Sequence, residues 1–197
     1  MSDAAIVLCG GRSKRMGRDK ASLPFGGETM LERVVRVVSA VTPEVVLAAR
    51  EDQEVRGGLG AVARDRDGEI GPLAGIAAGL RAVRSERAFV SGCDAPFLSA
   101  GVVRRLLDLA RGFDAAVPLV DGFHMTACAV YAKSCVPAAE RLLAARRLRP
   151  LYLVESMRAR IVAPEELEDV DPELRCFRTC NTPEEYEAAL REAGLAR

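Results

Sequence analysis

Ala4-Ala5-Ile6-Val7-Leu8-Cys9-Gly10-Gly11-Arg12-Ser13-Lys14-Arg15-Met16-Gly17-Arg18-Asp19-Lys20 changes character at Gly10. Residues 4–9 are apolar and partly β-branched, with no polar position between them. A short run of that kind is a strand buried on both faces, as in a parallel sheet. The paired Gly10-Gly11 lets the backbone approach a ligand closely. Five cations, Arg12, Lys14, Arg15, Arg18 and Lys20, then fall within nine residues. Backbone N–H groups and clustered positive charge together suit a polyphosphate. The loop matches neither G-x-x-x-x-G-K-[ST] nor G-x-G-x-x-G. That removes the P-loop of NTPases and the dinucleotide fingerprint of oxidoreductases.

Outward from this loop, strands and helices alternate. Apolar residues recur on one face from Glu28 to Val41, a helix ended by Pro43. Glu44–Ala49 reads as a second buried strand and Ala61–Arg64 as a short third. Pro72 opens a helix to near Arg84, since proline is tolerated in a first turn. Ala88–Ser91 is a fourth strand, and Ser99 caps a helix to near Arg111. Asp114–Leu119 and His124–Tyr131 flank Asp121-Gly122, a tight-turn dipeptide. Helical stretches follow near 135–146 and 150–157, and Thr182-Pro183-Glu184-Glu185 caps a last helix. The alternation predicts an α/β fold: a mostly parallel sheet with helices on both faces, as one domain over residues 1–197. Ligands of such folds bind at the carboxyl ends of the strands.

Three further segments fall at those ends. Asp94, in Cys93-Asp94-Ala95-Pro96, follows the fourth strand. A lone carboxylate there suits a magnesium ion shared with substrate phosphates, because magnesium takes only one or two protein carboxylates. Asp65 ends the third strand with Asp67 two residues on, and either is placed to touch a base or ribose. In Gly71-Pro72-Leu73-Ala74-Gly75-Ile76-Ala77-Ala78-Gly79, Gly71 and Gly75 sit at a helix start, where base or phosphate contact is expected. Gly79 reads as close helix–sheet packing. His124, the only histidine, lies beside a turn and has no serine or cysteine constellation around it.

Bulk composition narrows the class. Lys+Arg and Asp+Glu both number 28, so no basic excess points to nucleic acid. No apolar run of about 18 residues could span a membrane. The six cysteines form no C-x-x-C pair and are expected as reduced thiols, several of them buried, in a cytoplasmic protein. No pattern assigns an oligomeric state.

Together these residues resemble the molybdenum cofactor guanylyltransferase family of the nucleotidyltransferase superfamily. The resemblance rests on Leu8-Cys9-Gly10-Gly11 with Arg15-Met16-Gly17 and Asp19-Lys20. It continues through Gly71-Pro72-Leu73-Ala74-Gly75, Cys93-Asp94-Ala95-Pro96-Phe97, His124-Met125 and Asn181-Thr182-Pro183-Glu184-Glu185. It implies a Rossmann-like three-layer sandwich. It implies that Leu8, Cys9 and Gly10 contact guanine, Lys20 binds phosphate, Asp65 contacts the nucleotide and Asp94 binds Mg2+. The implied reaction joins GMP from GTP to the phosphate of molybdenum-bearing molybdopterin and releases pyrophosphate, with Arg15, Lys20 and Asp94 carrying catalysis. The residues by themselves support phosphate binding and transfer only. They leave open CTP in place of GTP, another phosphorylated acceptor, and a nucleotide binder without turnover.

Overall fold

The computed structural model describes residues 3–10, 19–55, 57–65 and 71–196. The first strand, β1 (Ala4–Leu8), is buried on both faces. Ala4 and Ile6 join one core, and Ala5 and Val7 the other, so the unbroken apolar run is two interleaved faces. After it come the hairpin β2 (Pro24–Phe25) and β3 (Glu28–Thr29), then α1 (Met30–Ser39). The sequence assigns Glu28 and Thr29 to the helix. Instead they pair with Pro24 and Phe25 across Gly26, at φ 73°, and Thr29 caps α1 through a reciprocal bond pattern with Glu32.

The chain continues through β4 (Glu44–Ala49), β5 (Ala61–Arg64), α2 (Pro72–Ala82), β6 (Arg87–Gly92) and α3 (Ala100–Leu109). Then follow β7 (Ala115–Val120), β8 (Phe123–His124), β9 (Cys128–Ala132), α4 (Val136–Ala144), α5 (Pro150–Glu155), β10 (Ala159–Val162) and α6 (Pro183–Glu192). The sheet runs β5-β4-β1-β6-β9-β7-β10, with β8 on β7. Its pairs are parallel except those that β9 makes with β6 and β7, and that of β8 with β7. Leu73, Ile76, Leu80, Leu142 and Leu153 cover one face of the sheet. Val34, Val38, Val102 and Leu106 cover the other. The α/β class with helices on both faces is as the sequence implies. Among the described residues no helix is long and apolar enough to cross a membrane.

Two departures are informative. The expected strand His124–Tyr131 is broken: Met125 N–H turns back to Pro118 O and Cys128 N–H to Met125 O. That turn lets β8 stay on β7 while β9 slots between β6 and β7. Asp121 and Gly122, at φ 50° and 80°, make the tight turn that the dipeptide predicts. β10 escapes the sequence reading because Arg160 interrupts it and Ile161 remains 43% exposed, the pattern of an edge strand.

α2 lies hard against β1. A Cβ on Gly79 would stand 2.5 Å from Ile6 Cγ2 and under 3 Å from two more of its atoms. Gly79→Val therefore forces Ile6 off its rotamer, at a cost of about 3 kcal/mol and roughly 6–12 °C in Tm. A thermal melt measures it, and adding Ile6→Ala recovers part of the loss if the clash is the cause.

Candidate active site

β6 delivers Asp94 to the carboxyl edge. Cys93 N–H extends the ladder to Leu8 O at 3.1 Å, and Asp94 O accepts Cys180 N–H at 3.0 Å. The Asp94 side chain is therefore held between the end of β1 and the segment leading to α6. Its Oδ2 accepts Lys20 Nζ at 2.8 Å, and the same ammonium donates to Asn181 Oδ1 at 2.7 Å. Both side chains of the ion pair are only 17% exposed. Lys20 begins a 3-10 turn capped by Asp19, whose Oδ1 accepts Ala21 N–H. Asn181 is oriented in turn: its N–H donates to Glu185 Oε2 and its Nδ2 to Thr179 Oγ1. Three residues, from the end of the basic loop, the turn after the fourth parallel strand and the position just before the cap of the last helix, thus converge on one point.

The other sequence candidates lie around the same carboxyl edge of the sheet. Leu8 is half-buried and packs toward α2. Cys9 is 4% exposed, and its N–H and that of Gly10 both donate to Ala48 O, at 2.8 and 3.2 Å. Burial, and next the charge of Asp19, push the Cys9 thiol up to about 12. Burial, and next the charge of Asp94, push Cys180 up to about 11. All six cysteines are buried and free of disulfides, as expected. The Cys9 and Cys180 thiols stay protonated at neutral pH and act as small apolar groups.

Gly71 is exposed, in the left-handed region at φ 91°, and caps α2. Gly75 is buried one turn on; a Cβ there would meet Leu8 Cδ2 at 3.1 Å. Its direct neighbour is therefore the Leu8 side chain. Asp65 is half-buried, its N–H tied to Ala49 O at 3.2 Å. His124 is half-buried and pairs with Leu119 in the β7–β8 hairpin. Gly11, Arg12, Lys14, Arg15, Arg18 and Asp67 lie outside the described residues.

Three residues matter that the motif reading did not place in the site. Asn181 marks a helix start in the sequence, and spacing cannot show that it reaches Lys20. Gly92 reads as the end of a strand, yet a Cβ on it would lie 2.5 Å from Asp94 Oδ1. Gln53, in the loop after β4, donates Nε2 to Cys9 O at 3.0 Å. No local signal distinguishes it from any other polar loop residue.

A cavity of about 400 Å³ opens between Pro96-Phe97 and α6, lined also by Thr179, Cys180 and Ala189. Arg175 lies over the Phe97 ring at 4.5 Å and fixes one wall. No group of three or more His, Cys, Asp or Glu side chains among the described residues could hold a metal unaided. A cation at Asp94 would accordingly need substrate oxygens to complete its shell, which is how magnesium binds in phosphate-handling sites. The ammonium seated on Asp94 shows that the carboxylate is aimed to receive positive charge.

A model of the MobA-like NTP transferase domain matches residues 5–161. The chain belongs to that family. A probable molybdenum cofactor guanylyltransferase of Methanosarcina acetivorans is 36% identical, the match covering 96% of this chain and 90% of the relative. A molybdenum cofactor guanylyltransferase of Desulfosudis oleivorans is 34% identical over 93% and 92%. Among solved structures, molybdopterin-guanine dinucleotide biosynthesis protein A of Archaeoglobus fulgidus superposes with a TM-score of 0.85 at 25% identity, covering 97% of this chain and 98% of that one. In this MobA-like transferase, Lys20 and Asp94 fall inside the matched domain, while Asn181 and α6 follow it.

Proposed function

We propose that this nucleotidyltransferase transfers GMP from GTP to the phosphate of molybdenum-bearing molybdopterin and releases pyrophosphate, with Mg2+ at Asp94. The convergence of Lys20, Asp94 and Asn181 carries the reading. An acceptor phosphate is already anionic and attacks the α-phosphorus without a dedicated base. The new P–O bond forms as the bond to the pyrophosphate oxygen breaks. The protein's task is to bring two polyanions together and to offset charge growing on the leaving group.

Lys20 provides a positive charge beside the reacting phosphate, and its nearly buried position strengthens that charge relative to water. Mg2+ held by Asp94 and the phosphates would supply further charge neutralisation and fix the phosphate chain. Arg15 and the Gly10-Gly11 backbone are assigned to the remaining phosphates. The cavity between Phe97 and α6, whose lining includes Thr179 and Cys180 immediately before Asn181, is our assignment for the acceptor.

Pyrophosphate release by the purified chain, with GTP, CTP or ATP and with or without molybdopterin, tests the reading. The expected result is release only with GTP, acceptor and Mg2+ together. Release with CTP and a different phosphorylated acceptor, or GTP binding without turnover, would reject it. Lys20→Ala should lower the rate about 10²–10³-fold, the usual loss on removing one group aimed at developing charge.

A further inference from the structure

We infer that Arg33 is a positioning residue for this reaction: it fixes the turn that carries Asp94 against α1, and through that helix sets Asp94 opposite Lys20. The inference rests on the roles of Lys20 and Asp94 proposed above. Arg33 lies near the start of α1. Its Nε donates to Pro96 O at 2.5 Å and its Nη1 to Glu28 Oε1 at 3.3 Å. Its Cζ stands 5.1 Å from the centre of the Phe25 ring. The guanidinium is thus held by a carbonyl, a carboxylate and an aromatic ring together. A planar fork can meet that set of partners at once, and the point charge of a lysine cannot. Glu28 is itself held in place. Arg36 bonds both of its oxygens, at 3.0 and 2.7 Å, and those bonds keep its carboxyl below the usual carboxylate range.

The turn that Arg33 grips is the one that presents Asp94. Its near side is tied to the sheet, because Cys93 N–H reaches Leu8 O. Asp94 O accepts Cys180 N–H. On the far side, Ala95 O is used within the turn by Leu98 N–H at 3.2 Å, and Pro96 has no N–H to give. Pro96 is buried, and a buried carbonyl needs a donor. Arg33 supplies a charged one, the stronger kind, and so ties the far side of the turn to α1. The next residue is held by the same neighbourhood. The Phe97 ring meets Phe25 edge to face at 6.1 Å.

The same end of α1 seats Lys20. The 3-10 turn Lys20–Ser22 closes with Leu23 N–H on Lys20 O at 3.2 Å. Leu23 O then accepts the N–H of Met30, the first residue of α1, at 2.9 Å. Met30 and Arg33 are three positions apart, so they are neighbours on the helix surface. One helix therefore holds the backbone of Lys20 through Met30 and that of Asp94 through Arg33. Where the two side chains meet, the separation is 2.8 Å. Slack at Arg33 lets the Asp94 turn move relative to Lys20. The reacting phosphate would then meet two groups out of register, and small misplacements of that kind are costly in rate.

Pyrophosphate release, a thermal melt and Mn2+ binding in the presence of GTP, read by electron paramagnetic resonance, test this in Arg33→Lys. Lysine keeps the charge and loses both the fork and the Nε donor. The folded variant should show kcat lowered about tenfold and Mn2+ bound about tenfold more weakly, the lower end of what removing a supporting outer-shell group costs. KM for GTP should change little. In an Asp94→Asn background Arg33→Lys should cost no further rate, because the group it positions is already gone. Where Arg33→Lys does not fold, Glu28→Gln, which releases the fork and leaves Nε and Pro96 O in place, should give the same pattern with a smaller fall in kcat. A lowered Tm with normal kcat and Mn2+ affinity overturns the inference and leaves Arg33 as a packing clamp. So does a loss of rate that multiplies with that of Asp94→Asn. A wild-type rate in Asp94→Asn alone would instead reject the proposed role of Asp94, and the inference with it.

Discussion

Asp94→Asn lowers transfer by about three orders of magnitude and leaves the chain folded. The replacement keeps the size and planarity of the side chain and removes its charge. The main-chain bonds that position residue 94, Cys93 N–H to Leu8 O and Cys180 N–H to Asp94 O, do not involve the side chain. What is lost is the carboxylate that meets Lys20 at 2.8 Å and, in our proposal, Mg2+. A neutral amide oxygen is a much poorer partner for magnesium, which favours hard anionic oxygen. Removing one group that neutralises phosphate charge costs about 10²–10³-fold, and loss of metal adds to it. The measurement is pyrophosphate release across a Mg2+ titration, beside a thermal melt. A rate within threefold of normal at saturating Mg2+ would dismiss Asp94 from the chemistry. A chain that fails to melt cooperatively would make the ion pair a structural one.

The fold was legible wherever burial wrote itself into a continuous apolar run. β1, β4 and β6 are covered on both faces, so their composition alone reveals them. The β2–β3 hairpin was hidden because Glu28 and Thr29 flow into a helical pattern, and only the partner strand shows that they pair. β10 was hidden because an edge strand carries mixed polarity. Of the proposed site, the sequence records a basic loop and an aspartate after a strand, and the structure brings Lys20 and Asp94 from them together. Its completion was not legible. Lys20 and Asn181 are 161 positions apart, and their segments are brought together where Leu23, Phe25 and Met30 share a small apolar cluster with Cys180 and Ala189. Gly75 carries a constraint that spacing cannot show: a Cβ on it would meet Leu8 Cδ2 at 3.1 Å.

Two glycines separate on these grounds. Gly79 is a packing residue, and its replacement costs stability. Gly92→Ala should cost turnover, about a hundredfold, with little change in Tm. Its φ lies outside the left-handed region, so alanine can adopt the same backbone. Its N–H to Ala127 O is likewise available to alanine. The obstacle is one atom: the added Cβ would stand 2.5 Å from Asp94 Oδ1. The Asp94 carboxylate must rotate or shift to relieve that contact, and Oδ2, which receives Lys20, moves with it. A displacement near 1 Å at a group that positions reacting phosphates is enough for about a 10²-fold loss. The loss should fall on kcat more than on KM, because the nucleoside and outer phosphates are held elsewhere. Mn2+ affinity in the presence of GTP should weaken in parallel, since the displaced carboxylate is the proposed ligand. Normal kcat with unchanged Mn2+ affinity would mean that Asp94 tolerates the methyl, and that the position of its carboxylate is not what the reaction depends on.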